Sequence, residues 1–175
     1  MVSVNHEGSL RVRDARDDER GAIRALTLRA YAEYAAAMAP SAWAALEGAV
    51  LHGLETGERV ERIVAEHGEN LVGSVMLYPP AAEAYGELTG RAAWPELRLL
   101  AVAPEARGHG VGEALVDECA RRARAAGAAE LGLHTSESMR AAIRLYERLG
   151  FERAPEHDFR PDGAELVQGY RLRLR

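Results

Sequence analysis

One cysteine, Cys119, stands alone in the sequence, so no disulfide can form within the chain and a reducing compartment is expected. Long apolar runs are also missing: none approaches the roughly 20 residues that span a bilayer, so no membrane partner is expected. The opening segment, MVSVNHEGSL, lacks the basic-then-apolar layout of a secretory signal, and the expected location is the cytoplasm. Positive charge is in deficit: 22 basic against 27 acidic residues give a net charge of −5. That argues against nucleic acid as a partner, since such binding relies on neutralising phosphates with Lys and Arg, and it mildly favours a cationic substrate. The six histidines show no ligand spacing such as H-x-x-x-H, so no metal is expected. Internal repeats, low-complexity tracts and long linkers are absent as well.

What is present suits one globular unit. At 175 residues, 47% apolar and 28% charged, the chain reads as a single domain over 1–175, with residues 1–9 as a flexible tail. Alternation over 10–13 predicts a strand, and Asp17 or Asp18 is placed to cap the helix that follows. Ile23, Leu26, Ala30 and Tyr34 recur at helical spacing in that helix, which must stop before Pro40. Ser41 is placed to cap a second helix carrying Trp43, Leu46, Val50 and Leu54. Residues 60–66 and 70–78 predict a hairpin with Gly68 in its turn, ended by Pro79 and Pro80, and 81–93 predicts a surface loop. Residues 96–102 predict a strand buried on both faces. A helix then runs from Gly110 to about Ala126, with Val111, Leu115, Cys119 and Ala123 inward and Gly127 as its stop. A strand at 131–135, a helix at about 138–149, a return starting at Phe151 and a strand at 166–174 complete the order. Strand–helix–strand implies a parallel crossover while the hairpins imply antiparallel pairs, so the expected class is α/β (α+β), a mixed sheet flanked by helices.

The segment that carries chemistry is Leu99-Leu100-Ala101-Val102-Ala103-Pro104-Glu105-Ala106-Arg107-Gly108-His109-Gly110-Val111-Gly112. A buried strand leads through a glycine-rich turn directly onto an amphipathic helix. Such a turn presents several backbone N–H groups to one anion, and the helix N-terminus adds partial positive charge. Gly108, Gly110 and Gly112 let a diphosphate approach the backbone. A dinucleotide G-x-G-x-x-G would need glycine where Glu113 stands, and the P-loop ending in Gly-Lys-Ser/Thr is absent. Alone, the turn could equally be a tight strand–helix connection.

Arg107-x-x-Gly110-x-Gly112 resembles the CoA-binding signature of the GNAT acetyltransferases. Val102-x-Pro104 upstream and Ala142-x-x-Leu145-Tyr146-x-x-x-Gly150-Phe151 downstream continue the resemblance, which covers roughly 96–152. It implies a GNAT-like, largely antiparallel sheet with a central parallel pair that splays, and acetyl-CoA as cosubstrate without a metal. Residues 96–152 become the donor-binding and catalytic core. Leu100, Ala101 and Val102 would contact the pantetheine through backbone groups, and Gly108, His109, Gly110, Val111, Gly112 and Glu113 would hold the diphosphate, with Arg107 adding a charge-assisted contact. Met139 stands where many members carry an asparagine, so an apolar contact replaces that hydrogen bond. Tyr146 is placed to protonate the departing thiolate, a task suited to a phenol that is neutral at pH 7, while the same ring can pack in the core. Glu96 and His134 are the candidates for the base that frees the acceptor amine, each with an ordinary reading as a satisfied polar group. Cys119 reads as core rather than nucleophile, and Trp43, Trp94, Tyr31 and Tyr34 as either core or acceptor wall.

The resulting expectation is an N-acetyltransferase that passes an acetyl group from acetyl-CoA directly to a primary amine of a small molecule or peptide. The alternative is a non-catalytic acyl-CoA-binding or sensing module. A homodimer through the C-terminal strands is compatible with the resemblance, and no motif demands it.

Overall fold

A computed structural model describes residues 9–56, 59–80, 93–161 and 164–175. The elements follow the order read from the sequence: β1 (Leu10–Asp14), α1 (Arg20–Tyr31), α2 (Pro40–Glu55), β2 (Glu61–His67), β3 (Asn70–Tyr78), β4 (Glu96–Val102), α3 (Val111–Ala125), β5 (Glu130–Ser136), α4 (Arg140–Arg148), β6 (Glu152–Arg153) and β7 (Val167–Arg173). The seven strands form one sheet in the order β1-β2-β3-β4-β5-β7-β6. Every pairing is antiparallel except β4 with β5. The loop expected at 81–93 lies outside the described residues up to position 92.

Two apolar layers cover the sheet. On one face Val111, Leu115, Cys119 and Ala123 of α3 are buried against Ile63, Val75, Leu97, Leu131 and Leu133, together with Tyr146 of α4. On the other, Leu26 and Ala30 of α1 pack on Ala101 and Ala103. Cys119 is fully buried, and desolvation pushes its thiol up to about 12, so it is a core residue and no nucleophile.

Local chemistry departs from expectation at the helix starts. Neither Asp17 nor Asp18 caps α1; those residues form a short 3-10 turn, and the Glu19 carboxylate reaches back to the Arg16 N–H at 2.7 Å. Ser41 does not cap α2 either, because Pro40 occupies the first helical position, where its missing N–H costs nothing. At the end of α4 the Phe151 N–H bonds Tyr146 O at 3.0 Å and the Gly150 N–H bonds Glu147 O at 3.1 Å. This paired stop brings the Phe151 ring to 5.7 Å from that of Tyr146 and so fixes the tyrosine's place.

Glu19 also anchors β1 to α1. Its carboxylate receives two hydrogen bonds from Arg13, at 2.9 and 2.7 Å, and Arg13 bonds Glu66 as well. The Arg13 bonds, working against burial, hold the Glu19 carboxyl at about 2 against an ordinary 4.5. A depressed carboxyl stabilises the fold above its unfolded value and loses that contribution as pH falls through the folded one. Glu19→Gln is therefore expected to cost about 2 kcal/mol near neutral pH, after allowance for solvent screening. Urea melts read this directly: the gap between variant and wild type must narrow as pH drops below 4.5 toward 2.

Candidate active site

β4 and β5 run parallel but pair only where they begin, Glu96 opposite Gly132, with the Gly132 N–H on Pro95 O at 2.9 Å. Past that point no ladder pairing joins them among the described residues. The Ala103 N–H still bonds Val72 O of the β3 side at 2.9 Å, so by alternation Val102 turns its N–H and C=O toward β5 across the gap. Extended backbone with unused donors and acceptors borders an open cleft.

A bulge in β4 sets which residues face that cleft. Met76 pairs Arg98 and Ser74 pairs Ala101, so Leu99 and Leu100 together oppose Val75, and Leu99 takes φ +53°. The extra residue inverts the alternation: Leu97 packs on the α3 face, whereas Ala101, four residues on, packs on the α1 face. The strand is consequently not buried on both faces throughout, for Arg98, Leu99, Leu100 and Val102 are only half-buried. No glycine or asparagine marks position 99, so composition offered no sign of the bulge.

The cradle follows. Pro104–Ala106 makes a single 3-10 turn, Gly108 and Gly110 adopt φ of +77° and +78°, and α3 begins at Val111. Those angles are why glycine is needed at 108 and 110. Gly112 has a different reason: a Cβ there would lie 3.0 Å from Leu145 Cδ2, so its smallness lets α4 close against the start of α3. Ala114 makes the first helical bond, to Gly110 O. From Gly108 through Glu113, no amide donates to a protein acceptor among the described residues. Six consecutive unused N–H groups at a helix N-terminus suit a diphosphate. The Glu113 side chain is exposed, so only its amide belongs to this set. His109 turns its Nδ1 to Arg107 O at 2.8 Å. Arg107 itself reaches the other way, pairing with Glu33 and donating to Ala30 O at 3.1 Å.

Glu96 and His134, read as separate candidates, meet. His134 Nδ1 lies 2.6 Å from Glu96 Oε1, and Glu96 Oε2 takes a 3.1 Å bond from Arg98. His134 Nε2 faces His157 O at 3.0 Å; that carbonyl only accepts, so Nε2 carries hydrogen. Both side chains are buried, at 3% and 4% exposure. Burial pushes the Glu96 carboxyl up, but the His134 hydrogen bond and the Arg98 charge together outweigh it and hold it below the usual range. Aromatic groups surround the pair: Trp94 lies 4.4 Å from the His157 ring, Phe159 5.4 Å from His134, and the Arg98 guanidinium 4.0 Å over Tyr78.

The remaining candidates are spread over both faces of the sheet. Met139 is buried at the start of α4 and accepts a bond from the Thr135 hydroxyl at its sulfur, 3.6 Å away. Tyr146 is buried with the α3 layer, and its neighbour Leu145 touches the start of α3. Trp94 stands on the Glu96 face, whereas Trp43 is half-buried on α2. Tyr31 packs beside Ala101 and Ala103 with Tyr34 edge-on at 5.7 Å. Among the described residues no group of three acidic, His or Cys side chains is gathered to hold a metal, and no helix is long and apolar enough to cross a membrane.

Comparison with known proteins bears on the whole arrangement. A mycothiol acetyltransferase of Geodermatophilus obscurus is 36% identical over 92 residues, 51% of this chain and 28% of that protein, so the chain matches under a third of that relative's length. A GNAT-family protein of Desulfovibrio desulfuricans superposes with a TM-score of 0.67 at 21% identity, covering 95% of this chain and 100% of that one. The PaiA N-acetyltransferase of Thermoplasma acidophilum, solved with coenzyme A, gives 0.65 at 15% identity, covering 92% and 98%. The family model described as acetyltransferase (GNAT) matches residues 22–151, most of the sheet together with the cradle and α4, and the chain belongs to that family, whose members draw their acetyl group from acetyl-CoA.

Proposed function

We propose that the chain transfers the acetyl group of acetyl-CoA to a primary amine of a small molecule or peptide by direct attack, without an acyl-enzyme. The observation that carries this reading is the run of unused amides from Gly108 to Glu113 beside two parallel strands that part after their first paired position. The amides and the α3 N-terminus hold the diphosphate, with Arg107 adding a charge-assisted contact. The end of β4 holds the pantetheine, Leu100 and Val102 through cleft-facing backbone groups and Ala101, whose backbone pairs with Ser74, between them. Met139 offers that arm an apolar contact. When bound, acetyl-CoA supplies a thioester carbonyl open to an amine lone pair and a thiolate leaving group.

Tyr146 is assigned as the acid: its Oη gives a proton to the departing sulfur. An ammonium has no lone pair, so the acceptor must lose a proton first. Glu96 Oε1 and Oε2 are taken by His134 and Arg98, and His134 Nε2 by His157 O. The pair therefore serves as one unit: water carries the amine's proton to the second lone pair of a Glu96 carboxylate oxygen, while His134 and Arg98 keep their bonds to that carboxylate. The Trp94, His157 and Phe159 side chains wall the acceptor side.

A thiol-release assay with acetyl-CoA against a panel of amines, wild type beside Tyr146→Phe, tests this. Amine-dependent release of CoA is expected, with kcat lowered about a hundredfold in the variant and CoA affinity unchanged. An unchanged kcat removes Tyr146 as the acid. Binding of CoA without release for any amine favours the non-catalytic reading.

A further inference from the structure

The end of α1 and the 3-10 turn that follows it, Ala32–Ala36, are joined to the donor cradle by two ion pairs of opposite sense. Arg29 pairs with Glu105 at 2.9 Å, and Glu33, one helical turn further along, pairs with Arg107. Arg107 adds a bond to Ala30 O, a carbonyl near the negative end of α1. The pairs differ in one respect: Arg107 opens the glycine turn, one residue before the run of unused amides, whereas Arg29 lies on α1. Both bridges are open to water, with 38% exposure for Arg107 and 44% for Glu33. An exposed pair of this kind is worth at most about a fivefold shift in an equilibrium. It is too weak to be a structural bolt, and it is weaker than the charge-assisted contact an arginine makes to a phosphate.

We propose that Arg107 is shared between Glu33 and the diphosphate of the donor, so that Glu33, a residue outside the glycine signature, sets donor affinity by competing for that guanidinium. This rests on the donor reading above. Arg107 cannot satisfy both fully. Its guanidinium is held by Ala30 O on α1 and by Glu33 in the turn after it, and each contact it makes to a diphosphate is gained against the Glu33 carboxylate. Glu33 is thus a positioning residue acting through Arg107, and the cost it imposes keeps product CoA from binding more tightly than turnover requires.

Calorimetric titration with CoA reads the competition. Glu33→Gln is expected to tighten CoA about threefold, within the range of an exposed pair. Glu105→Gln removes the same charge two residues before Arg107 but from the Arg29 bridge, and it is expected to leave affinity within error. In an Arg107→Gln background, Glu33→Gln is expected to lose its effect, a coupling that a structural or general electrostatic role would not produce. Thermal melts of each variant check folding. Equal tightening by both glutamate variants, no change with Glu33→Gln, or an effect that persists without Arg107 would each overturn the proposal. Absence of CoA binding to the wild type would instead bring down the donor reading, and this inference with it.

Discussion

Gly132→Ala is expected to destabilise the protein by about 3 kcal/mol or more, the upper end of what overpacking a core costs. A Cβ at 132 would fall 2.0 Å from Trp94 Nε1 and 2.5 Å from its Cδ1, inside any real contact distance. The indole has little room to yield, because the His157 ring is packed 4.4 Å from it. Nor can the backbone withdraw easily: Gly132 sits between two ladders, opposite Glu96 on β4 and Arg171 on β7, and its N–H is bonded to Pro95 O. This is also where the central strands hold together before they part, so the damage reaches the cleft. Denaturant melts with tryptophan fluorescence provide the measurement. Trp94→Leu is expected to restore part of the loss in the double variant, since it removes the atoms that collide. A Gly132→Ala protein as stable as wild type would mean that Trp94 repacks around the added methyl at no cost.

Gly132 also marks the divide between what the sequence disclosed and what it did not. Order, period and punctuation are local properties, and they were legible: β3 and β4 take the bounds read for them, because Pro79 and Pro80 end one and a dense apolar run defines the other. The α3 stripe of Val111, Leu115, Cys119 and Ala123 is buried as its spacing required. Helix starts were harder, since several polar residues compete to cap one helix and tertiary contacts choose among them. None of the acidic side chains caps α1: Glu19, held by Arg13 of β1, turns its carboxylate back to the Arg16 N–H instead.

The cradle was legible because its glycines, its proline and the following helix are contiguous. The pairing of Glu96 with His134 was not, because 38 residues separate them and only strand register decides their meeting. The one available signal was the crossover: parallel neighbours place the start of one strand near that of the next. The β4 bulge left no mark, yet it decides that Ala101 shares a face with α1 while Leu97 does not. Arg107 was read as a phosphate ligand from its place in the motif; its tie to Glu33 spans 74 residues and needed the fold.

Replacing Glu96 by glutamine separates the structural and chemical roles of the buried pair, and both effects are expected to be large. Glutamine fits the site: its carbonyl must face Arg98, which only donates, and its amide then faces His134 Nδ1. His134 can accept there while Nε2 keeps its hydrogen on His157 O. What the variant loses is the negative charge beside Arg98, whose side chain is only 10% exposed. Removing one side of a buried ion pair is strongly destabilising, and about 3 kcal/mol of stability should go with the lost charge-assisted bond between Glu96 and Arg98. Because the folded Glu96 carboxyl is held below its ordinary range, its contribution is full above that ordinary value. It disappears as pH falls through the depressed one, so the difference between variant and wild type must shrink on acidification.

Turnover is expected to fall about a thousandfold at neutral pH if the pair takes the amine's proton, while CoA affinity stays as in the wild type. Adding Arg98→Met supplies the decisive comparison. With both charges removed, much of the stability should return, because an apolar side chain replaces the desolvated ion pair. Activity should not return, since the proton acceptor is still missing. Recovery of both together would assign the pair to stability alone and move the base elsewhere in the cleft.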